Sequence, residues 1–151
     1  MQEDALRKIG TIARSFDSIA NSEFKDMQLT RGQYLYLVRI SEHPGIISDR
    51  LAELLNIDRT TTARGVQKLV KNGLAEKRTD PANKKVKRLF LTEKGKELAQ
   101  VIERENTYSN RTALAGLTNA EKEELLRLLT KVADNASASW HFVKSGGSRN
   151  Y

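Results

Sequence analysis

The chain has no cysteine, two prolines, two histidines and a single tryptophan in 151 residues. Without cysteine there is no disulfide scaffold, no thiolate zinc site, no iron–sulfur cluster and no thiol-based redox switch. Apolar runs are short, and none approaches the roughly 20 residues needed to cross a bilayer. The opening Met1-Gln2-Glu3-Asp4 lacks the basic and apolar regions of a secretion signal, so the expected location is the cytoplasm, with no membrane partner. The two histidines, His43 and His141, lie in different contexts with no carboxylate at metal-ligand spacing. There is no GxGxxG, P-loop, GxSxG or HExxH segment. No enzyme, metal or cofactor is expected.

What the chain does have is a soluble globular composition, 38% hydrophobic and 30% charged, and a length that permits burial of roughly 70% of the unfolded surface. Its formal charge is +7. Between Arg59 and Phe90 there are ten basic residues and two acidic ones, a local balance of +8, so the rest of the chain sums to −1. A basic module in an otherwise neutral protein is the footprint of a polyanion-binding site.

Apolar residues at three-and-four spacing from Leu6 to Phe24 predict a first long helix. Thr30, with Gln33 completing a capping box, starts a second, which stops at His43-Pro44-Gly45. Ser48 can cap a short third helix, and Asp58 a fourth that buries Ala63, Val66, Leu69 and Val70 and ends at Asn72-Gly73. Two short helices joined by a tight turn make a helix-turn-helix candidate. Runs at Leu74 to Thr79 and Val86 to Leu91, split by the turn-forming Asp80 to Lys85, predict a β-hairpin with a basic tip. Thr92 opens a fifth helix reaching about Gly116. A second capping box, Thr118 to Glu121, opens a sixth with Leu125, Leu128, Leu129, Val132, Ala136, Trp140 and Val143 on one stripe. Residues 145–151 have the composition of a disordered tail.

Arg59, Thr60, Thr61, Thr62, Arg64 and Lys68 crowd the first turns of the fourth helix, whose apolar side is already assigned, so they are expected to point outward. A helix N-terminus attracts anions, Thr hydroxyls can bond phosphate, and Arg can read guanine through two hydrogen bonds. The alternative is a threonine run held helical by packing, with solvated cations beside it. The basic hairpin, carrying Lys84, Lys85, Lys87 and Arg88, follows at the distance of a wing.

These segments resemble a known family. Leu51-Ala52-x-x-Leu55-x-Ile57-Asp58-Arg59-Thr60-Thr61-Thr62-x-Arg64, Leu69-x-x-x-Gly73-Leu74, Asp80-Pro81-x-Asn83-x-Lys85 and Leu91-Thr92-Glu93-Lys94-Gly95 look like the MarR regulators, in their SlyA-like branch. The resemblance implies a mainly α chain with a small β-hairpin wing. A winged helix-turn-helix over 29–95 would bind double-stranded DNA, and residues 1–28 and 96–144 would form a helical dimerisation region. It implies a transcriptional regulator, in the main a repressor, acting as a homodimer on a pseudo-palindromic operator. Release by a small-molecule effector is also implied, with Tyr34, Tyr36 and Arg39 as candidate contacts. The family commonly has an acidic residue where this chain has Asn83, and an arginine reaching the minor groove where it has Lys85; lysine keeps the charge but gives up the planar fork.

The long first, fifth and sixth helices carry more apolar stripe than one winged domain can cover, which independently favours a homodimer; a single-chain bundle is the alternative. A rival of another class is a winged-helix module whose basic face binds an acidic protein.

Overall fold

The computed structural model describes residues 4–29 and 32–151. Helix α1 (Ala5–Glu23) starts where the Asp4 carboxylate accepts the N–H groups of Leu6 and Arg7, and a 3₁₀ turn (Lys25–Met27) follows it. Helix α2 (Gln33–Glu42) is entered through Gly32 at φ 78°. The capping box expected at Thr30 lies outside the described residues. Helix α3 (Ser48–Leu55) follows an extended Ile47, and Ser48 is its first residue rather than its cap, with no side-chain bond at that end. The turn to the next helix bends at Asn56, φ 51°, where the Ile57 N–H donates to the Ala52 carbonyl at 3.1 Å.

Asp58 caps α4 (Arg59–Lys71) as expected, accepting the Thr60 N–H at 3.0 Å. The helix stops at Gly73, φ 72°: the Gly73 N–H donates to the Val70 carbonyl and the Leu74 N–H to the Leu69 carbonyl, at 3.0 and 2.9 Å. This paired closure satisfies two otherwise orphaned carbonyls and needs a left-handed residue at its centre. It also drops Leu74, fully buried, into the core as strand β1 (Ala75–Thr79) begins. Strand β2 (Lys87–Leu91) pairs antiparallel with it, Ala75 opposite Leu91 and Thr79 opposite Lys87. The other edge of β2 is held as well, since the Gly45 N–H donates to the Leu89 carbonyl at 2.8 Å and the Leu89 N–H to the Ile46 carbonyl at 2.9 Å.

Helix α5 (Glu93–Ala113) and helix α6 (Asn119–Lys144) complete the chain. Thr118 and Glu121 form the expected capping box on α6. Ser145–Gly147, assigned by composition to a disordered tail, instead closes that helix. Gly146 at φ 95° donates to Val143, and Gly147 donates to Phe142 at 2.9 Å. Glycine after the last turn is a helix stop before it is a linker.

The described residues divide into two compact units, one up to Ser109 and one from Asn110 to Tyr151. The first has a single core in which Phe24, Leu29, Leu37, Ile40, Leu51, Leu69, Leu74, Leu89 and Ile102 are all at least 98% buried. It joins α2, α3, α4 and the hairpin to the end of α1 and the first half of α5. The N-terminal part of α1 leaves Leu6 and Ile12 exposed. In the second unit α6 buries none of its residues: Leu126, Leu128, Leu129, Val132, Phe142 and Val143 all face outward. Among the described residues, no helix is long and apolar enough to cross a membrane.

Candidate nucleic-acid interface

The buried face of α4 is not quite the one expected. Thr62, Gly65, Val66 and Leu69 are buried, at i, i+3, i+4 and i+7, while Ala63 is exposed and Val70 is only partly covered. Thr62 was expected to point outward with Thr60 and Thr61; it is fully buried and is not available to a partner. With Thr62 and Gly65 in place of Ala63 and Val70, the buried face is turned by about 60° around the helix, because it includes a threonine and a glycine that hydropathy alone does not select. Among the described residues the buried Gln33 Oε1 has no hydrogen-bond partner.

With Thr62 removed from it, the outer face of α4 carries Arg59, Thr60, Thr61, Arg64 and Lys68, all exposed. Arg64, Lys68 and Lys71, with Gln67, Val70 and Asn72, line a shallow groove along the helix. Gln67 was missed in the sequence, although its position three residues after Arg64 places it on that face, and Gln can read adenine through two hydrogen bonds. Arg59 Nη1 lies 3.8 Å from Asp49 Oδ2 of α3, a loose and exposed pair that leaves the guanidinium within reach of another anion.

The hairpin sorts its cations into two kinds. Lys84 and Lys85 stand exposed at the tip, on a turn built by two side chains: Asp80 Oδ1 accepts the Ala82 N–H at 2.8 Å and Asn83 Oδ1 accepts the Lys85 N–H at 3.1 Å. Lys87 reaches across to the Thr79 hydroxyl at 2.7 Å. Arg88 is half-exposed and doubly bonded: its Nε donates to Asp80 Oδ2 at 2.5 Å and its Nη1 to the Gly45 carbonyl at 3.0 Å. Its charge is paired with the Asp80 carboxylate at the start of the wing turn. Arg78 lies over the Phe90 ring, 4.3 Å from the centroid, and bonds Glu76.

The three residues suggested as effector contacts are not brought together. Positions 34 and 36 are about 200° apart around α2, so their rings leave opposite sides. Tyr34 donates to Asp17 of α1 at 2.5 Å and packs against Phe24, at 5.9 Å between ring centroids. Burial first, then the Asp17 bond and the charges of Asp17 and Glu105, push its phenol above the ordinary range. Tyr36 faces α4; burial raises its phenol too, the Thr62 hydroxyl pulling the other way. Arg39 is half-exposed and pairs with Glu42 of its own helix at 2.7 Å.

A family model described as MarR family matches residues 29–87, the span from Leu29 through the hairpin tip. YybA, an HTH-type transcriptional regulator of Bacillus subtilis, is 53% identical over 98% of this chain and 99% of its own. The chain belongs to the MarR family. Among solved structures, a MarR-family regulator from Listeria monocytogenes complexed with a 26-mer DNA superposes with a TM-score of 0.95 at 51% identity, covering 99% of this chain and 100% of that one. The transcriptional regulator SlyA superposes at 0.91 and 50% identity, covering 93% and 99%. The fold of this MarR protein is therefore the winged helix expected of it, and the chain is a MarR-type transcriptional regulator rather than an enzyme.

The MarR wing turn should be sensitive to acid. The Arg88 guanidinium, and then the Ala82 N–H, hold the Asp80 carboxyl below the usual carboxylate range. A lowered folded value means that the contact stabilises the wing above the unfolded value of about 4 and is lost as pH falls through the lower, folded one. In a carbon-detected titration the Asp80 carboxyl should show a midpoint below those of exposed aspartates, with the Ala82 amide shifting in step. A midpoint in the ordinary range would mean that Asp80 does not hold Arg88 in solution.

Proposed function

We propose that this MarR-type regulator binds double-stranded DNA as a homodimer at a pseudo-palindromic operator and represses transcription in the cytoplasm. The observation that carries the reading is the exposure of the cations on two successive elements: Arg59, Arg64, Lys68 and Lys71 on the outer face of α4, where Arg64, Lys68 and Lys71 line one groove, and Lys84, Lys85 and Lys87 on the hairpin that follows. A helix of this kind fits the major groove. Thr60 and Thr61 bond phosphate at its N-terminus, Arg64 and Gln67 reach base edges, and the wing lies along the adjacent backbone and minor groove. The Listeria relative bound to DNA supports the same mode here. Two such helices in a two-fold dimer read half-sites about one helical turn apart, roughly 10 bp centre to centre.

The test is to select bound fragments from the host's genomic DNA and to titrate the selected site over a salt series. A steep salt dependence with a shared palindrome is expected. Arg64→Ala should cost about 1–3 kcal/mol on that site and relax preference at particular base pairs. Equal loss on every sequence would reduce Arg64 to a phosphate contact. No sequence preference, with binding abolished at physiological salt, would overturn the reading in favour of an acidic protein partner. Transcription in vitro from a promoter carrying the site should fall when the protein is added; a rise would overturn the repressor role.

A further inference from the structure

Gly65 sits in the middle of α4, a position where glycine is poorly suited because it gives up the most backbone freedom on folding. Its surroundings explain it. A Cβ added at Gly65 would lie 2.3 Å from Cε2, 2.8 Å from Cδ2 and 2.9 Å from Cζ of Tyr36. All three are ring atoms of a side chain that is itself 95% buried, so the ring has little room to retreat. Thr62, one turn earlier on the same face of α4, is also fully buried beside Tyr36. The aromatic ring of α2 therefore rests directly on the backbone of α4 at Gly65. No side chain at that position holds the two helices apart.

We infer that Tyr36 and Gly65 are a size-matched pair that seats the recognition helix and so determines which base pairs Arg64 and its neighbours reach. Arg64 immediately precedes Gly65, about 100° around the helix and on its exposed side. Any displacement of the backbone at 65 is handed directly to the root of that side chain, whose two-bond reading of a base tolerates only about half an ångström of error. Tyr36 is a positioning residue here. It touches no DNA, and it acts through the place it gives α4.

The inference rests on the reading of α4 as the helix that enters the major groove, and the experiment separates the two. Wild-type protein is first taken through selection on genomic DNA; failure to enrich any site overturns the DNA-binding reading itself. On the enriched site, Gly65→Ala should weaken binding roughly tenfold or more, the scale of one lost base contact, and alter the base-preference profile. Binding to unrelated DNA at low salt should change less than twofold. Tyr36→Leu alone, which opens space under the helix, should shift the same profile. Gly65→Ala combined with Tyr36→Leu should recover affinity beyond the product of the two single effects. Tyr36→Phe, which keeps the ring, should behave as wild type.

A second readout needs no DNA, because helix propensity and packing predict opposite signs at this site. Propensity alone favours alanine in a helix interior, so a raised unfolding temperature for Gly65→Ala with unchanged operator binding would overturn the pair. A lowered temperature restored by Tyr36→Leu supports it. If Gly65→Ala does not fold, recovery of a folded chain in the double variant supports the pair, and failure to recover overturns it.

Discussion

Gly95→Ala is expected to destabilise the winged domain by at least about 3 kcal/mol, the upper end of what overpacking costs. A Cβ at this position would lie 2.0 Å from the Leu74 carbonyl oxygen and 3.0 Å from its carbon, a collision with backbone that cannot swing aside. Leu74 is fixed from several directions. Its N–H closes α4 on Leu69, its carbonyl accepts the Thr92 N–H at 3.1 Å, and its side chain is fully buried. Thr92 tightens the junction further, donating its hydroxyl to the Gly73 carbonyl at 2.7 Å while accepting the Gly95 N–H at 3.1 Å. The first turn of α5 thus sits against the end of α4 with no space for a methyl group. Gly10→Ala is the matched control: there the added carbon meets only the flexible end of Arg14, so the substitution should gain up to about 1 kcal/mol from helix propensity. Urea unfolding of the two variants checks the contrast, and a Gly95→Ala midpoint equal to wild type would refute it.

Leu129→Glu is expected to abolish the proposed dimer. Along α6 the outward apolar residues Leu125, Leu129, Val132, Ala136, Trp140 and Val143 follow at intervals of three or four, and the helix buries none of its residues within the chain. A stripe of this length left to water is unfavourable at roughly 25 cal/mol per Å², and a second copy of the chain offers a matching stripe by symmetry. A carboxylate placed in that contact would lose its water without gaining a partner, a penalty of several kcal/mol per ion, counted twice across a two-fold axis. Sedimentation should fall from twice 17.0 kDa to the single-chain mass, or the protein should lose its fold. A folded dimer of unchanged affinity would show that α6 is not the contact.

Local rules made most of this protein readable. Asp58 and the Thr118–Glu121 pair cap helices because a side-chain oxygen beside free N–H groups does so wherever it occurs, and Asn72-Gly73 ends α4 for an equally local reason. The alternating run either side of Asp80 to Lys85 placed the hairpin within a residue at each end. What local rules do not reach lies where partners are distant in sequence. Nothing near Thr62 announces that Tyr36 covers it, and nothing near Arg88 announces that the Gly45 carbonyl, 43 positions earlier, will claim one of its nitrogens. Composition made Arg88 equivalent to Lys84 and Lys85, whereas tertiary contacts divide them. Gly65 carried a signal that could have been used, since a glycine in a helix interior asks for a packing reason.

The grip on both edges of β2 has a consequence for proteolysis. The hairpin tip, Pro81 to Lys85, is exposed and carries two adjacent lysines, an inviting target for a trypsin-like protease. Cleavage there would separate the chain into two pieces without freeing the second. Strand β2 would remain paired with β1 from Ala75 to Thr79 on one side and bonded to Gly45 and Ile46 on the other, with Leu89 and Leu91 still in the core. A nicked protein would therefore keep its shape and migrate as an intact particle until denatured, having lost only the connection between Lys84 and Lys85 that the tip needs to hold its own conformation.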